Sequence, residues 1–166
     1  MSRRHREQFP THELYEGTIV EVPPAAGWDA ILSINVLEHI EGDAAELERY
    51  SALLRARRGH FCVLVPARPE IYAPIDGDFG HFRRYTRPEL RGKLEAAGFE
   101  IVRLCYFNFV GYFAWWLNFV ALKKRVFEPG KVRFYDRMIF PTVHFLESKL
   151  LRPPIGQSLI AVARAR

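Results

Sequence analysis

Trp28-Asp29-Ala30-Ile31-Leu32-Ser33-Ile34, running directly into Asn35-Val36-Leu37-Glu38-His39-Ile40, is the stretch on which the fold turns. A nearly continuous apolar run of this kind predicts a strand covered on both faces, as in a parallel sheet. Polar residues directly after such a strand stand at its carboxyl end, where α/β sheets bind ligands. Glu38 and His39 could there accept hydrogen bonds or move a proton near neutral pH. Equally, they could be solvated residues leading into the next helix.

Downstream, Asp43 and Glu46 have the spacing of a capping box. Ala44, Leu47, Tyr50, Leu53 and Leu54 form one helical stripe, and Arg55, Arg57 and Arg58 suit the negative end of the helix dipole before Gly59. Residues 60–65 predict a second buried strand, stopped by Pro66. A loop over 66–85 follows, and then a second capping box, Thr86 with Glu89, opens a helix that Gly98 ends. Residues 99–107 predict a third strand, and 158–163 the last. Residues 110–151 between them read as helical and aromatic, broken at Pro129-Gly130 and at Pro141. Upstream, 11–21 reads as a short strand with Leu14, Ile19 and Val20 as its apolar members. This alternation predicts one α/β layered domain with a mainly parallel sheet.

The 166 residues suit one domain, and 49% hydrophobic with 26% charged excludes a disordered tail or a fibrous repeat. The net charge of +5 is compatible with an acidic partner but names none. Nucleic acid is not expected as a partner, since charge alone speaks for it. Cys62 and Cys105, each in an apolar stretch, predict core thiols in a reducing, cytoplasmic compartment. The basic start at Ser2-Arg3-Arg4 has no apolar segment behind it, so no signal peptide is expected. Residues 104–122 carry no charge, close to the ~20 residues of a membrane span. Asn108, Gly111 and Asn118 within them favour a buried strand followed by an amphipathic helix.

The 66–85 loop collects Tyr72, Asp76, Asp78, His81, Arg83, Arg84, Tyr85 and Arg87. Arginines and a histidine at the ligand edge would suit a phosphate or carboxylate. They would equally fold the loop by pairing Arg83 and Arg84 with Asp76 and Asp78. No Cys-x-x-Cys or His-x-x-x-His pair occurs, so no metal site is expected. Gly-x-Ser-x-Gly, a P-loop and any Gly-x-Gly are absent too. Trp115, Trp116, Phe119, Phe127 and Phe134 in the insertion read as core packing, as a lid over an apolar substrate, or as a face resting on a membrane. Lys123-Lys124-Arg125 would favour anionic headgroups in the last case.

Taken in order, Trp28 to Ile40, residues 60–66, the Gly80-His81-Phe82-Arg83-Arg84-Tyr85-Thr86 loop, Leu94 to Phe99 and the closing 158–163 run resemble class I S-adenosylmethionine-dependent methyltransferases, in a bacterial small-molecule subgroup. The resemblance implies a truncated Rossmann-like sheet with strands equivalent to 3-4-5-6-7 of the family order 3-2-1-4-5-7-6. It implies a single domain over 1–166 with a helical insertion at about 110–152. The family's first strand, glycine-rich loop and second strand have no counterpart, so the chain is expected to be a truncated or carboxyl-terminal part of such an enzyme. By resemblance, Gly17, Thr18, Ile19, Asn35, Val36, Leu37 and Glu38 would bind the cofactor, with Thr18 where the family carries an aspartate. His39 and His81 are the candidate proton acceptors. Tyr72, Asp76, Arg84, Tyr85 and Trp115 would contact a small-molecule acceptor, apolar or anionic. The alternative is a non-catalytic binding module that engages a partner protein or, peripherally, a membrane. Without the family's central strands, 30–34 becomes an apolar edge that must be covered by the 11–21 strand, another chain or self-association.

Overall fold

The computed structural model describes residues 27–149 and 153–166, together with Ile19. Gly17, Thr18 and nearly all of the expected 11–21 strand lie outside the described residues. Ile19 is partly buried and packs against the main core.

Four strands form one sheet: β1 (Ala30–Ile34), β2 (His60–Pro66), β3 (Phe99–Phe107) and β4 (Ser158–Ala165), in the order β1-β2-β4-β3. β1 and β2 pair in parallel, and β4 runs antiparallel to both β2 and β3. Three strands therefore point one way and the last runs against them, the 4-5-7-6 portion of the order implied above. Alternate residues Phe61, Val63 and Val65 of β2 and Leu159, Ala161 and Ala163 of β4 are buried on one face. There they meet helix α1 (Asp43–Arg55), through Leu47, Tyr50 and Leu54, and helix α3 (Arg87–Ala96), through Leu90 and Leu94. A period-2 face against a period-3.6 stripe makes the core.

The expectation that 28–34 is covered on both faces is corrected. Leu32 is 68% exposed and Ile34 53%, while Ser33 on the opposite face is buried. An apolar run specifies a strand but not what lies on its second face. Among the described residues β1 pairs only with β2. Cys62 and Cys105 are free thiols, half-buried on β2 and β3.

Local signals held unevenly. Thr86 Oγ1 accepts from Glu89 N–H and Glu89 accepts from Thr86 N–H, so the second capping box forms. The first does not: Gly42 is the cap of α1 and Asp43 lies inside the helix with its carboxylate engaged elsewhere. The chain leaves α1 with Arg58, not Gly59, in the left-handed region. Gly59 serves close approach instead, since a Cβ there would lie 2.5 Å from the Trp28 carbonyl oxygen.

The insertion begins with α4 (Phe109–Trp115), which widens into a π-helical segment (Trp116–Ala121). After a short break, α5 (Pro129–Phe134), a second π segment (Tyr135–Ile139) and α6 (Phe140–Lys149) follow without interruption. Pro141 therefore does not break the chain, because it falls in the first turn of α6, where its missing N–H costs little. No described helix is long and apolar enough to cross a membrane.

Candidate active site

β1 ends in a sharp turn. Asn35 adopts a positive φ of 51°, and its N–H donates to Leu64 O. A short 3-10 turn (Leu37–His39) follows. Asn35, Val36 and His39 face solvent at the carboxyl end of β1. Leu37 instead points into the main core. Glu38 is fully buried, and neither carboxylate oxygen has a hydrogen-bond partner among the described residues. Burial pushes its carboxyl above the ordinary range.

The 66–85 segment folds over this turn. It contains a 3-10 turn (Pro69–Ile71) and the short helix α2 (Pro74–Asp78), so it is less a loop than a packed strap. Phe82 N–H donates to Glu38 O and His39 Nδ1 lies 3.2 Å from Gly80 O, which join the strap to the turn. The His39 and His81 rings consequently meet edge to face, with centroids 4.7 Å apart.

Asp76 organises the strap. Fully buried, it accepts from Ala73 N–H (2.8 Å), from Arg84 Nε (3.0 Å) and through a 2.8 Å ion pair with the other end of that guanidinium. His81 Nδ1 lies 3.0 Å from the same carboxylate. Burial nevertheless holds the His81 imidazole below its ordinary pKa, against the pull of Asp76. The burial favours the neutral ring, and with the Asp76 carboxylate as acceptor Nδ1 is the nitrogen that donates. Arg84 also donates to Ala67 O and lies 4.4 Å over the Trp115 ring, whose Nε1 donates to Ile71 O. Tyr85 hydroxyl is buried between Leu37 O and Asp43.

Of the five residues expected to touch an acceptor, Asp76, Arg84, Tyr85 and Trp115 are thus buried and engaged within the protein: Asp76 with Arg84, Trp115 with Arg84 and Ile71 O, and Tyr85 with Leu37 O and Asp43. Tyr72 is 41% exposed, and its hydroxyl donates to His81 O. The pairing of Arg84 with Asp76 follows the loop-folding alternative. Arg83 pairs with Asp43, not with Asp78.

A cavity of about 460 Å³ opens beside this assembly, within the aromatic insertion. Trp115, Phe119, Phe127 and Phe134 give it apolar walls, and Asn108, Tyr135 and Gln157 give it polar ones. Asn108 sits at the carboxyl end of β3 with φ of 61°, accepts from Tyr135 hydroxyl and Gly111 N–H, and donates to Gln157. Glu147 accepts from the backbone N–H of Asn108 and Phe109. The sequence marked the position after Phe107 only by where the strand stops. Trp115 belongs to both sites: it lines the cavity and stacks under Arg84, which reaches His81 through Asp76.

The chain as a whole is similar in fold to several solved structures. Magnesium protoporphyrin IX methyltransferase from Synechocystis PCC 6803, solved with bound SAH, aligns over 99% of this chain and 57% of its own, at 11% identity and a TM-score of 0.52. The fold is that of class I S-adenosylmethionine-dependent methyltransferases. A Haloferax volcanii protein solved in complex with the Trm112 methyltransferase activator shares this methyltransferase fold (90% and 59% coverage, 14% identity, TM-score 0.51). So does the [4+2]-cyclase SpnF (98% and 60% coverage, 19% identity, TM-score 0.55). The chain spans 57% to 60% of the length of these three proteins. At such identities the methyltransferase fold is shared and the chemistry is not thereby fixed, as a cyclase on the same scaffold illustrates. No protein-family model matches the chain. No curated protein matches it.

Proposed function

We propose that this chain carries out S-adenosylmethionine-dependent methyl transfer to a small acceptor whose apolar part lies in the insertion cavity. The observation that carries the reading is the meeting, at the carboxyl end of β1, of an exposed Asn35-Val36 turn with the His39–His81 pair, which Asp76 and Arg84 link to Trp115 on the wall of the aromatic cavity. In open α/β sheets this edge is where ligands sit. The cofactor supplies an electrophilic methyl group on a sulfonium.

Asn35 and Val36 fit a role along such a cofactor, because both are exposed at the strand end. Leu37 contributes packing, and Glu38 contributes a buried carboxylate. Gly17 and Thr18 remain part of the proposal by resemblance, with Ile19 packed against the core. His81, neutral and held by Asp76, or His39 beside it, would take the acceptor's proton through Nε2. Tyr72 is the strap residue with surface to offer an acceptor. Asp76, Arg84, Tyr85 and Trp115 act as positioning residues, fixing His81 and the cavity wall. Catalysis would rest mainly on placement of the acceptor.

A second reading is a non-catalytic module that engages a partner protein or a membrane surface. Its support is the set of exposed apolar side chains on the insertion, Phe113, Trp116, Leu117 and Leu122 among them. Against the membrane form, Lys124 pairs with Glu128 and Arg125 lies 3.6 Å from Asp78, so part of the basic patch is already neutralised.

Calorimetric titration with S-adenosylmethionine and S-adenosylhomocysteine separates the two. Saturable binding of both, weakened at least tenfold by Asn35→Ala or Val36→Arg, is expected. A folded chain that binds neither refutes the first reading, and co-sedimentation with anionic vesicles then tests the second.

A further inference from the structure

We propose that Glu38, His39 and His81 form a binding site for a divalent cation of the zinc class. One ligating atom from each lies within 4.8 Å of the other two. Two donors each about 2.1 Å from a zinc ion are at most about 4.2 Å apart. Closing the trio around an ion therefore asks for small side-chain movements, and His39 is at the surface.

Two features set this trio apart from a chance cluster. Glu38 is fully buried, and both its oxygens lack partners among the described residues. A buried carboxyl left unpaired is costly whether or not it is ionised, since its protonated form also needs an acceptor. A cation between it and the histidines removes that deficit. Second, each imidazole is oriented through Nδ1, His81 toward Asp76 and His39 toward Gly80 O. Nε2 is thereby left as the lone-pair donor on both rings, and carboxylate or carbonyl support of Nδ1 is the usual second partner of a metal-bound histidine.

Two imidazoles and one carboxylate with open positions on the exposed side suit zinc, and cobalt as its substitute, better than calcium or magnesium, which prefer all-oxygen shells. Spacing rules miss the site because His39 and His81 are brought together by the strap, not by sequence. The binding does not rest on the methyl-transfer reading. If both hold, the histidines become ligands, and the cation lowers the pKa of an acceptor hydroxyl that touches it.

The full chain, stripped of metal with chelator, is titrated with Co2+ while visible absorption is followed, and with Zn2+ in competition, without nucleotide cofactor. One equivalent per chain is expected, with Zn2+ displacing Co2+. Glu38→Gln, His81→Ala and the surface variant His39→Asn should each weaken binding at least tenfold, and His60→Ala should leave it unchanged. If Glu38→Gln or His81→Ala fails to fold, His39→Asn decides. Absence of saturable Co2+ binding, or binding that survives His39→Asn unchanged, overturns the proposal. Failure of the cofactor titration above leaves this result standing, so the two readings fail separately.

Discussion

Asp43→Asn tests how the strap is held to the helical layer. Asp43 is 3% exposed and accepts from Tyr85 hydroxyl at 2.8 Å, from Lys93 Nζ at 2.7 Å and from the Arg83 guanidinium at 2.8 Å. It thus joins the start of α1 to α3 and to the end of the strap. Removing one partner of a buried pair costs about 3–5 kcal/mol. Here Lys93 and Arg83 side chains are about a quarter exposed and can rehydrate. The asparagine also keeps one acceptor for Tyr85, so ~2–4 kcal/mol is the better expectation. For a chain of this size that is a fall in Tm of roughly 4–16 °C.

The pH dependence carries a sign. Burial raises the Asp43 carboxyl, but hydrogen bonds from Lys93, Tyr85 and Arg83 outweigh it and hold it below its ordinary value of 3.8. A group depressed in the native state stabilises above its unfolded pKa and loses that contribution as pH falls through the native one. The gap between wild type and Asp43→Asn should be constant from pH 8 to about pH 5 and shrink below about pH 4. Thermal unfolding followed by circular dichroism across this range reads it. A gap under ~0.5 kcal/mol at pH 7, or one that persists undiminished at pH 3, refutes the role given to Asp43.

Three further outcomes are expected. Glu38→Met in chelator at pH 8 should raise stability by ~1–3 kcal/mol in denaturant unfolding, because an apolar side chain of similar volume replaces an unpaired carboxyl; a loss would mean Glu38 has a partner in solution. Arg84→Met should cost ~3–5 kcal/mol by stranding buried Asp76, a fall in Tm of roughly 6–20 °C, and a thermal scan showing less than half the lower figure would remove Arg84 from the framework. Leu32→Lys should abolish any concentration-dependent self-association seen by sedimentation velocity, since Leu32 is the most exposed apolar side chain of edge strand β1; equal distributions for both proteins would place the contact elsewhere.

Much of the fold was legible because it is encoded locally. Phe61, Val63 and Val65 alternate inward, Leu47, Tyr50 and Leu54 recur at helical spacing, and Thr86 with Glu89 caps α3 without help from distant residues. Asp43 shows where local reading stops. Its spacing to Glu46 satisfies the capping rule, yet Tyr85 and Lys93, more than forty residues away in sequence, offer its carboxylate a better set of donors. Arg83 fails for the same reason, having Asp43 within reach when the nearer Asp78 is turned toward Arg125.

The site follows the same division. That the residues after Ile34 stand at the carboxyl edge of the sheet was readable from strand order alone. Which of them face outward was not, because Leu37 and Glu38 are turned inward by a turn whose geometry depends on Asn35 adopting a positive φ. The strap then decides the chemistry: Phe82 N–H on Glu38 O sets its register, and that register brings His81 to His39. A shift of one residue between strap and turn would carry His81 away from Glu38 and His39. The proposed site is therefore a contact between two segments, and the chemistry proposed at this edge depends on Asp76 and Arg84 as much as on the groups that would meet a ligand.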